Sequence, residues 1–227
     1  MSGKLYGVGV GPGDPELLTI KAIRIMKEAD VLAVPGTQKE DSVAYQIAKQ
    51  AIKEIDTKEI ISIHMPMTKD EARLEDSHRK GAEEIIQYLK MGKKVAFLTL
   101  GDPTIYSTYI YLHKRIVESG YEAEIISGIP SFCAVAAKLN QGLVEKNEQL
   151  HVIPSSYDIE DMIALSGTKV LMKSGKKLSK VIEYLKTKDC QVSMVENCGM
   201  ENEKICRSLN EIKDDAGYYS LIIVKED

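Results

Sequence analysis

The first half of the chain alternates short apolar runs with longer segments whose apolar residues recur every three or four positions. The short runs are typical of buried strands, and they fall at 4–10, 30–34, 60–63, 95–100 and 124–126. The longer segments have the spacing of amphipathic helices, and they fall at 15–29, 41–54, 69–90 and 103–119. This alternation predicts an α/β fold with a mainly parallel sheet and helices on both of its faces.

The pattern of apolar residues changes after residue 130. A helix of small residues at 133–137 is followed by shorter apolar runs, at 150–153, 169–173, 191–195, 204–206 and 218–224. Two helical segments separate these runs, near 158–166 and 176–187. A sheet with few helices between its strands needs antiparallel pairs. We therefore predict two domains: 1–129 with the parallel sheet, and 130–227 with a smaller, mixed α/β fold.

The tripeptide Gly-Asp-Pro occurs twice, at 13–15 and 101–103, each time between a predicted strand and a predicted helix. Glycine permits a sharp bend, aspartate caps helices well, and proline suits the first helical turn. Gly or Pro turns also end two further strands, at 35–36 and 128–130. Turns that follow parallel strands share the carboxyl edge of the sheet, where open α/β folds bind ligands. Four such turns predict a ligand-binding cleft at this edge.

Composition narrows the class of protein. Apolar residues make up 44% and charged residues 28% of the 227 positions, as in an ordinary globular protein. The net charge of −4 argues against a nucleic-acid partner. No segment has the length and apolarity of a membrane span or a signal peptide, and the four cysteines form no Cys-x-x-Cys pair. We expect a cytoplasmic protein with reduced thiols and no membrane partner.

Most residue types that commonly bind cofactors or metals, or act as nucleophiles, lack the required spacing in this sequence. The alternate glycines of 7–13 depart from the Gly-x-Gly-x-x-Gly fingerprint of dinucleotide sites, and Pro12 removes one N–H group from the turn. The histidines are dispersed without metal-ligand spacing, so no metal site is predicted. No Ser or Cys has a nucleophile context. A tight turn is the favoured interpretation of the glycine-rich segment.

Asp102 has two interpretations. It is either a structural helix cap or a cleft residue that touches a ligand. In both cases the helix predicted at 103–119 places further hydroxyl groups on its first turns, those of Thr104, Tyr106, Ser107 and Thr108.

Five sequence blocks carry a resemblance to a known family. They read GVGVGPGDPELLT at 7–19, PMT at 66–68, FLTLGDPTIYSTY at 97–109, GIPSFC at 128–133 and ENCGM at 196–200. With these blocks the chain resembles, through nearly its whole length, the tetrapyrrole (corrin/porphyrin) methylase family. Within that family it is most similar to the enzymes that methylate C-20 of precorrin-2 or cobalt-factor II.

The resemblance implies a bilobal fold, with S-adenosylmethionine folded between the two domains and converted to S-adenosylhomocysteine. It also implies a trough for the tetrapyrrole on the N-terminal domain, and a homodimer. Pro12, Gly13 and Asp14 are expected to face the trough. The residues expected to contact the cofactor are Leu100, Gly101, Asp102, Thr104, Ser131, Phe132, Met172, Asn197, Cys198, Ser220 and Leu221.

The chemistry implied by the resemblance requires positioning more than a covalent nucleophile. A proton must leave the methylated carbon, and Asp102, Tyr106 or a water held by them is the expected base. The acetate and propionate groups of the substrate require cations around the trough. The cations considered for this role are Lys21, Arg24, Arg73, Arg79, Lys114 and Arg115.

Two other functions stay open at this stage. A relative from the same superfamily could act at another corrin position, on ribosomal RNA or on a protein, although an RNA enzyme should show a basic stripe. A non-catalytic carrier of a tetrapyrrole or a nucleotide would bind S-adenosylmethionine without consuming it.

Overall fold

The computed structural model describes residues 3–154, 161, 163–173, 178–213 and 216–226. The chain divides into two compact units, a first unit, Met1–Pro130, and a second unit, Ser131–Asp227. None of the helices in the described ranges is long and apolar enough to cross a membrane.

The first unit contains a five-stranded sheet in which each strand is parallel to its neighbours. Its strands are β1 (Lys4–Gly9), β2 (Val31–Pro35), β3 (Glu59–Ile63), β4 (Lys94–Thr99) and β5 (Glu122–Ile126). Their order in the sheet is β3-β2-β4-β1-β5. The predicted parallel sheet is confirmed, and each strand ends within two residues of its predicted position.

Helices cover both faces of this sheet, as predicted. They are α1 (Ile20–Glu28), α2 (Val43–Ala51), α3 (Glu71–Lys90) and α4 (Tyr109–Glu118). Helices α1 and α2 form one core with Leu32 and Leu98, whereas α3 and α4 form a second core with Val31 and Phe97. Sequence neighbours on a strand point to opposite faces, so each strand contributes to both cores.

Two helices of the first unit, α1 and α4, begin five or six residues later than the apolar spacing predicts. Residues Pro15–Leu17 form a separate 3-10 turn, because Thr19 caps α1 by accepting the Ala22 N–H at 3.1 Å. Helix α4 begins at Tyr109 instead of residue 103. Of the two interpretations of Asp102, the one in which it caps this helix is therefore wrong. The hydroxyl residues expected on its first turns instead lie in the turns between β4 and α4, and they are Thr104, Tyr106, Ser107 and Thr108.

The second unit contains a mixed five-stranded sheet. Its strands are β6 (Leu150–Pro154), β7 (Thr168–Met172), β8 (Gln191–Glu196), β9 (Lys204–Cys206) and β10 (Ser220–Lys225), in the order β6-β7-β10-β8-β9. Strands β6 and β7 are parallel, and the remaining pairs are antiparallel. The predicted antiparallel component is confirmed.

Among the described residues, two helices of the second unit have a defined first and last residue. Helix α5 (Ser131–Leu139) contacts β10, and α6 (Leu178–Leu185) forms a core with Leu171 and Ile222. The helix predicted at 176–187 is α6, although residues 176–177 lie outside the described residues. Most of the helix predicted near 158–166 also lies outside them.

Candidate functional site

The turns that follow β1 and β4 are joined at the carboxyl edge of the first sheet. The Gly11 N–H donates to the Gly101 carbonyl at 3.2 Å, and the Gly101 N–H donates to the Gly11 carbonyl at 2.8 Å. The two strands are neighbours in the sheet, so both turns extend from the same edge. The segments that contain the two Gly-Asp-Pro sequences therefore meet in space, as the predicted cleft requires.

The turn after β5 joins the same group through glycine backbone. A Cβ atom built on Gly128 would lie 2.2 Å from the Gly101 carbonyl oxygen, and one built on Gly9 would lie 2.6 Å from that oxygen. Neither distance is compatible with a real side chain, so this packing requires glycine at both positions. Gly101 itself has a φ of +71°, in the left-handed region that glycine adopts at low cost. We call this arrangement of Gly9, Gly11, Gly101 and Gly128 the turn junction.

Asp102 connects two of these turns. One of its carboxylate oxygens accepts the Thr104 N–H at 2.8 Å and the Thr104 hydroxyl at 2.5 Å. The other accepts the Gly128 N–H at 3.0 Å. Burial raises the pKa of Asp102, but the hydrogen bonds from Thr104, Gly128 and Ser127 outweigh this effect and leave the pKa below its ordinary value. The side chain is 6% exposed, so it is a buried, ionised group whose oxygens hold the turns together.

Tyr106 lies in the turn between β4 and α4 and has a φ of +47°. This left-handed conformation costs a tyrosine about 1–2 kcal/mol, so the surrounding turn must impose it. Ser107 provides part of that support, because its hydroxyl lies 2.9 Å from the Thr99 hydroxyl and accepts the Tyr109 N–H at 3.2 Å. Tyr106 is 49% exposed. The strained turn therefore leaves an aromatic side chain half-exposed, four residues after Asp102.

The residues predicted to face the substrate lie directly beyond the turn junction. Asp14 accepts the Glu16 N–H at 2.8 Å and caps the 3-10 turn, with proline at its first position. The predicted capping role of this Gly-Asp-Pro copy is confirmed. Pro12 and Gly13 are buried, and Asp14 is half-buried.

In the second unit, the predicted cofactor residues lie at one edge of the mixed sheet. Met172 ends β7 and pairs with Leu221 of β10. Asn197 and Cys198 follow β8, and Ser220 begins β10 beside the end of β8. Because β10 runs antiparallel to both β7 and β8, its start meets their ends. The structure therefore brings these five residues together.

The remaining predicted cofactor residues lie at the start or end of elements. Leu100 is half-buried and directly follows β4. Ser131 and Phe132 begin α5, where Phe132 is buried and Ser131 is half-buried. Within the described residues, no group of three or more His, Cys, Asp or Glu side chains could hold a metal ion.

Sequence reasoning missed Glu196 at the end of β8. This carboxylate is 7% exposed, accepts the Gly217 N–H at 2.7 Å, and lies 3.3 Å from the Lys204 ammonium. It therefore fixes the loop that leads into Ser220, whose hydroxyl donates to the Gly217 carbonyl at 2.6 Å. The available signal was a single acidic residue at the end of an otherwise apolar run, directly before Asn197.

Residues 4–212 match the family Tetrapyrrole (Corrin/Porphyrin) Methylases. The chain belongs to this family, and the resemblance carried by its sequence blocks is confirmed.

Three relatives align with nearly the whole chain. The probable cobalt-precorrin-2 C(20)-methyltransferase of Methanocaldococcus jannaschii is 40% identical, covering 98% of this chain and 96% of the relative. The cobalt-precorrin-2 C(20)-methyltransferase of Salmonella typhimurium is 32% identical, covering 100% and 98%. The precorrin-2 C(20)-methyltransferase of a Sinorhizobium species is 31% identical, covering 98% and 95%.

Solved structures share the fold. A cobalt precorrin-4 methyltransferase matches with a TM-score of 0.75 at 20% identity, covering 98% of this chain and 94% of that one. A uroporphyrin-III C-methyltransferase from Thermus thermophilus, complexed with S-adenosylhomocysteine, matches with a TM-score of 0.72 at 20% identity, covering 98% and 97%. At this identity the match establishes the fold alone, and it confirms the predicted fold class.

Proposed function

We propose that the protein is an S-adenosylmethionine-dependent methyltransferase that acts on C-20 of precorrin-2 in cobalamin biosynthesis. The observation that carries this proposal is the 40% identity, over 98% of the chain, to a relative named for that reaction. That relative and the one at 32% identity are both named for cobalt-precorrin-2. We therefore propose the cobalt complex as the natural substrate, in preference to metal-free precorrin-2.

The local geometry of the first unit suits a ligand that approaches the backbone. A Cβ atom built on Gly101 would meet only the Ile129 carbonyl oxygen within 4 Å, at 3.9 Å. Open space therefore lies beside this residue, which agrees with a role in binding. The proposed contacts of S-adenosylmethionine in this unit are Leu100, Gly101, Asp102 and Thr104.

The edge of the second sheet presents both apolar and polar side chains that suit an adenosyl group. Met172 and Leu221 are apolar, as the face of a purine base requires, whereas Asn197 and Ser220 have polar side chains suited to ribose hydroxyls. The proposed contacts from this unit are Ser131, Phe132, Met172, Asn197, Cys198, Ser220 and Leu221.

When bound, S-adenosylmethionine supplies a methyl group on a positively charged sulfur, already activated for in-line displacement. The chain then has to hold the acceptor carbon in line with that methyl group and to exclude water. Such positioning can contribute on the order of 7–11 kcal/mol to lowering the barrier. We assign this positioning to the turn junction, because its two backbone hydrogen bonds fix Gly101 against Gly11.

The acceptor carbon loses a proton after the new carbon–carbon bond forms and the carbon–sulfur bond breaks. We assign Asp102 a positioning role, because its carboxylate already accepts hydrogen bonds from Thr104, Gly128 and Ser127 and its pKa is lowered. Tyr106 is our candidate for orienting the water that takes up the proton, since it lies in the same turn and is exposed. Pro12, Gly13 and Asp14 are the proposed substrate contacts beside the junction.

We also propose a homodimer and a cytoplasmic location. The homodimer rests on the family resemblance. The location follows from the expectation drawn from the sequence, in which the four cysteines form no Cys-x-x-Cys pair.

The proposal is tested by incubating the protein with S-adenosylmethionine and precorrin-2, with and without cobalt, and weighing the products. Transfer of one methyl group is expected, faster with the cobalt complex. A ¹³C-labelled methyl group then identifies the methylated position by NMR, and a position other than C-20 would refute the specific assignment. Binding of S-adenosylmethionine without turnover of either tetrapyrrole would support a carrier instead.

A further inference from the structure

A cavity of about 470 Å³ lies between α3 and the segment that follows β3. Its volume is typical of small-molecule sites, and it is separate from every residue assigned to the cofactor. His64 and Pro66 line one side. Six residues of α3 line the other, and they are Arg73, Asp76, Ser77, Lys80, Gly81 and Glu84. These six recur every three or four positions, so they form one face of the helix.

Two small residues on this face hold the helix close to the end of β3. Ser77 donates its hydroxyl to the His64 carbonyl at 2.5 Å, which ties α3 to the segment after β3. A Cβ atom built on Gly81 would lie 2.7 Å from Cγ2 of Ile63, so the helix approaches the end of β3 closely at this point. The longer side chains before and after these residues line the rest of the cavity on this face.

Arg73 provides a cation at one end of this opening. Its Nε lies 3.7 Å from the Asp70 carboxylate, at the limit of an ion pair, and its side chain is 77% exposed. A guanidinium held this loosely can reorient, and its planar fork matches a carboxylate.

The acidic residues that line the cavity do not cancel Arg73. Asp76 accepts hydrogen bonds from Lys80 and Arg79, which lower the pKa of Asp76 and balance its charge within the helix. Glu84 lies eleven residues beyond Arg73, which is about 16 Å along a helix.

Four of the other five cations considered from the sequence form ion pairs and do not line the cavity. These pairs are Lys21 with Glu124, Arg24 with Glu28, Arg79 with Glu83 and Arg115 with Glu75. Arg73 differs from all four in lining the cavity.

The cavity lies at the same edge of the sheet as the turn junction. His64 directly follows β3, and β3 lies two strands from β4 in the sheet. Two strand spacings correspond to about 10 Å. A tetrapyrrole carries its acetate and propionate groups on its periphery, away from the bridging carbon that reacts. A substrate whose C-20 lies at the turn junction could therefore extend a peripheral carboxylate sideways towards α3.

We propose that this cavity is a carboxylate subsite in which Arg73, assisted by Lys80, binds one acetate or propionate group of the tetrapyrrole. The inference rests on the proposed function, because that function supplies a substrate with several carboxylates. Arg73 forms a bidentate pair with the carboxylate. Lys80, two helical turns further along α3, turns from Asp76 to add a second positive charge, while Asp76 keeps Arg79 as its partner.

Steady-state kinetics with enzymatically prepared cobalt-precorrin-2 test the subsite. Arg73→Gln should raise the KM for the tetrapyrrole about tenfold, and Lys80→Gln about threefold. Arg73→Lys keeps the charge without the fork and should give an intermediate KM. The affinity for S-adenosylmethionine, measured by calorimetry, should be unchanged in all three. Lys90→Gln is the matched control, because it removes one positive charge from the exposed end of the same helix and should leave both constants unchanged.

The possible outcomes separate this inference from the proposed function. Wild-type protein that methylates neither tetrapyrrole would refute the proposed function. Wild-type turnover with a KM for Arg73→Gln within twofold of wild type would refute the subsite alone. Loss of S-adenosylmethionine affinity in Arg73→Gln, or the same KM increase in Lys90→Gln, would also overturn the subsite, because the effect would then be structural or a matter of net charge.

Discussion

Replacing Asp102 by asparagine tests the role of its carboxylate in joining the turns. The two oxygens accept hydrogen bonds from the Thr104 N–H, the Thr104 hydroxyl and the Gly128 N–H. An asparagine has only one side-chain oxygen, so its amide group must face either Thr104 or Gly128 with a donor against a donor. Leaving a buried donor unsatisfied costs about 1–3 kcal/mol. We expect Asp102→Asn to lower the free energy of unfolding by about 2 kcal/mol.

The other Gly-Asp-Pro copy provides a matched control. Asp14 accepts the Glu16 N–H at 2.8 Å and is half-buried. The oxygen of an asparagine can accept the same hydrogen bond, and asparagine caps about as well as aspartate. Asp14→Asn should therefore change the free energy of unfolding by less than about 0.5 kcal/mol.

Urea unfolding followed by circular dichroism measures both variants. Because the pKa of Asp102 is lowered in the fold, its stabilising contribution is complete above about pH 4, the unfolded value, and is lost as the pH falls through the folded pKa. The asparagine does not titrate, so the difference between wild type and Asp102→Asn should shrink below about pH 4. Equal stabilities of Asp102→Asn and Asp14→Asn at pH 7 would refute the reasoning.

Four further substitutions test other parts of the structure. Gly101→Leu places a side chain on a residue with a φ of +71° and fills the open space beside it. Calorimetry should therefore detect no S-adenosylmethionine binding, and undiminished affinity would count against this part of the site. Gly128→Ala places a Cβ atom 2.2 Å from the Gly101 carbonyl oxygen and should cost about 1–3 kcal/mol of stability together with cofactor affinity. Gly120→Ala is the control, because its Cβ atom meets no atom within 4 Å at a φ of +84°. It should incur only backbone strain of about 1–2 kcal/mol and keep the affinity for S-adenosylmethionine. Equal losses of this affinity in Gly128→Ala and Gly120→Ala would contradict the steric argument. Burial and the nearby Arg115 lower the pKa of His78, which is stacked on Tyr111. The free energy of unfolding should therefore fall as the pH drops below about 6.5. His78→Phe should flatten this decline, and an unchanged pH profile would show that another group is responsible.

The strands of the first unit could be predicted because each is buried on both faces. Val31 and Leu32 point into different cores, as do Phe97 and Leu98, so these strands appear in the sequence as continuous apolar runs. The start of α4 could not be predicted in this way. The spacing of apolar residues carries no information about two hydrogen bonds made by side chains in this segment. The Ser107 hydroxyl accepts the Tyr109 N–H, and the Asp102 carboxylate accepts the Gly128 N–H.

The candidate site was predictable as a set of turns but not as a set of contacts. Sequence alone indicates that Gly101 follows a strand, whereas its pairing with Gly11 depends on β1 and β4 being neighbours in the sheet. The proposed role of Arg73 depends in the same way on which face of α3 meets the segment after β3. Strand order and helix rotation are properties of the packed chain, and local patterns do not determine them.

The position of β1 between β4 and β5 has a consequence for the order in which the protein folds. Residues 4–9 pair with residues 94–99 and 122–126, so the middle of the sheet requires contacts across about 90 residues or more. Closing such long loops costs entropy before the pairing compensates for it, and high contact order slows folding. During synthesis, β1 lacks its final neighbours until β4 has left the ribosome. The pairing of Gly11 with Gly101 is therefore completed late, and a nascent chain that ends before β4 should lack the turn junction.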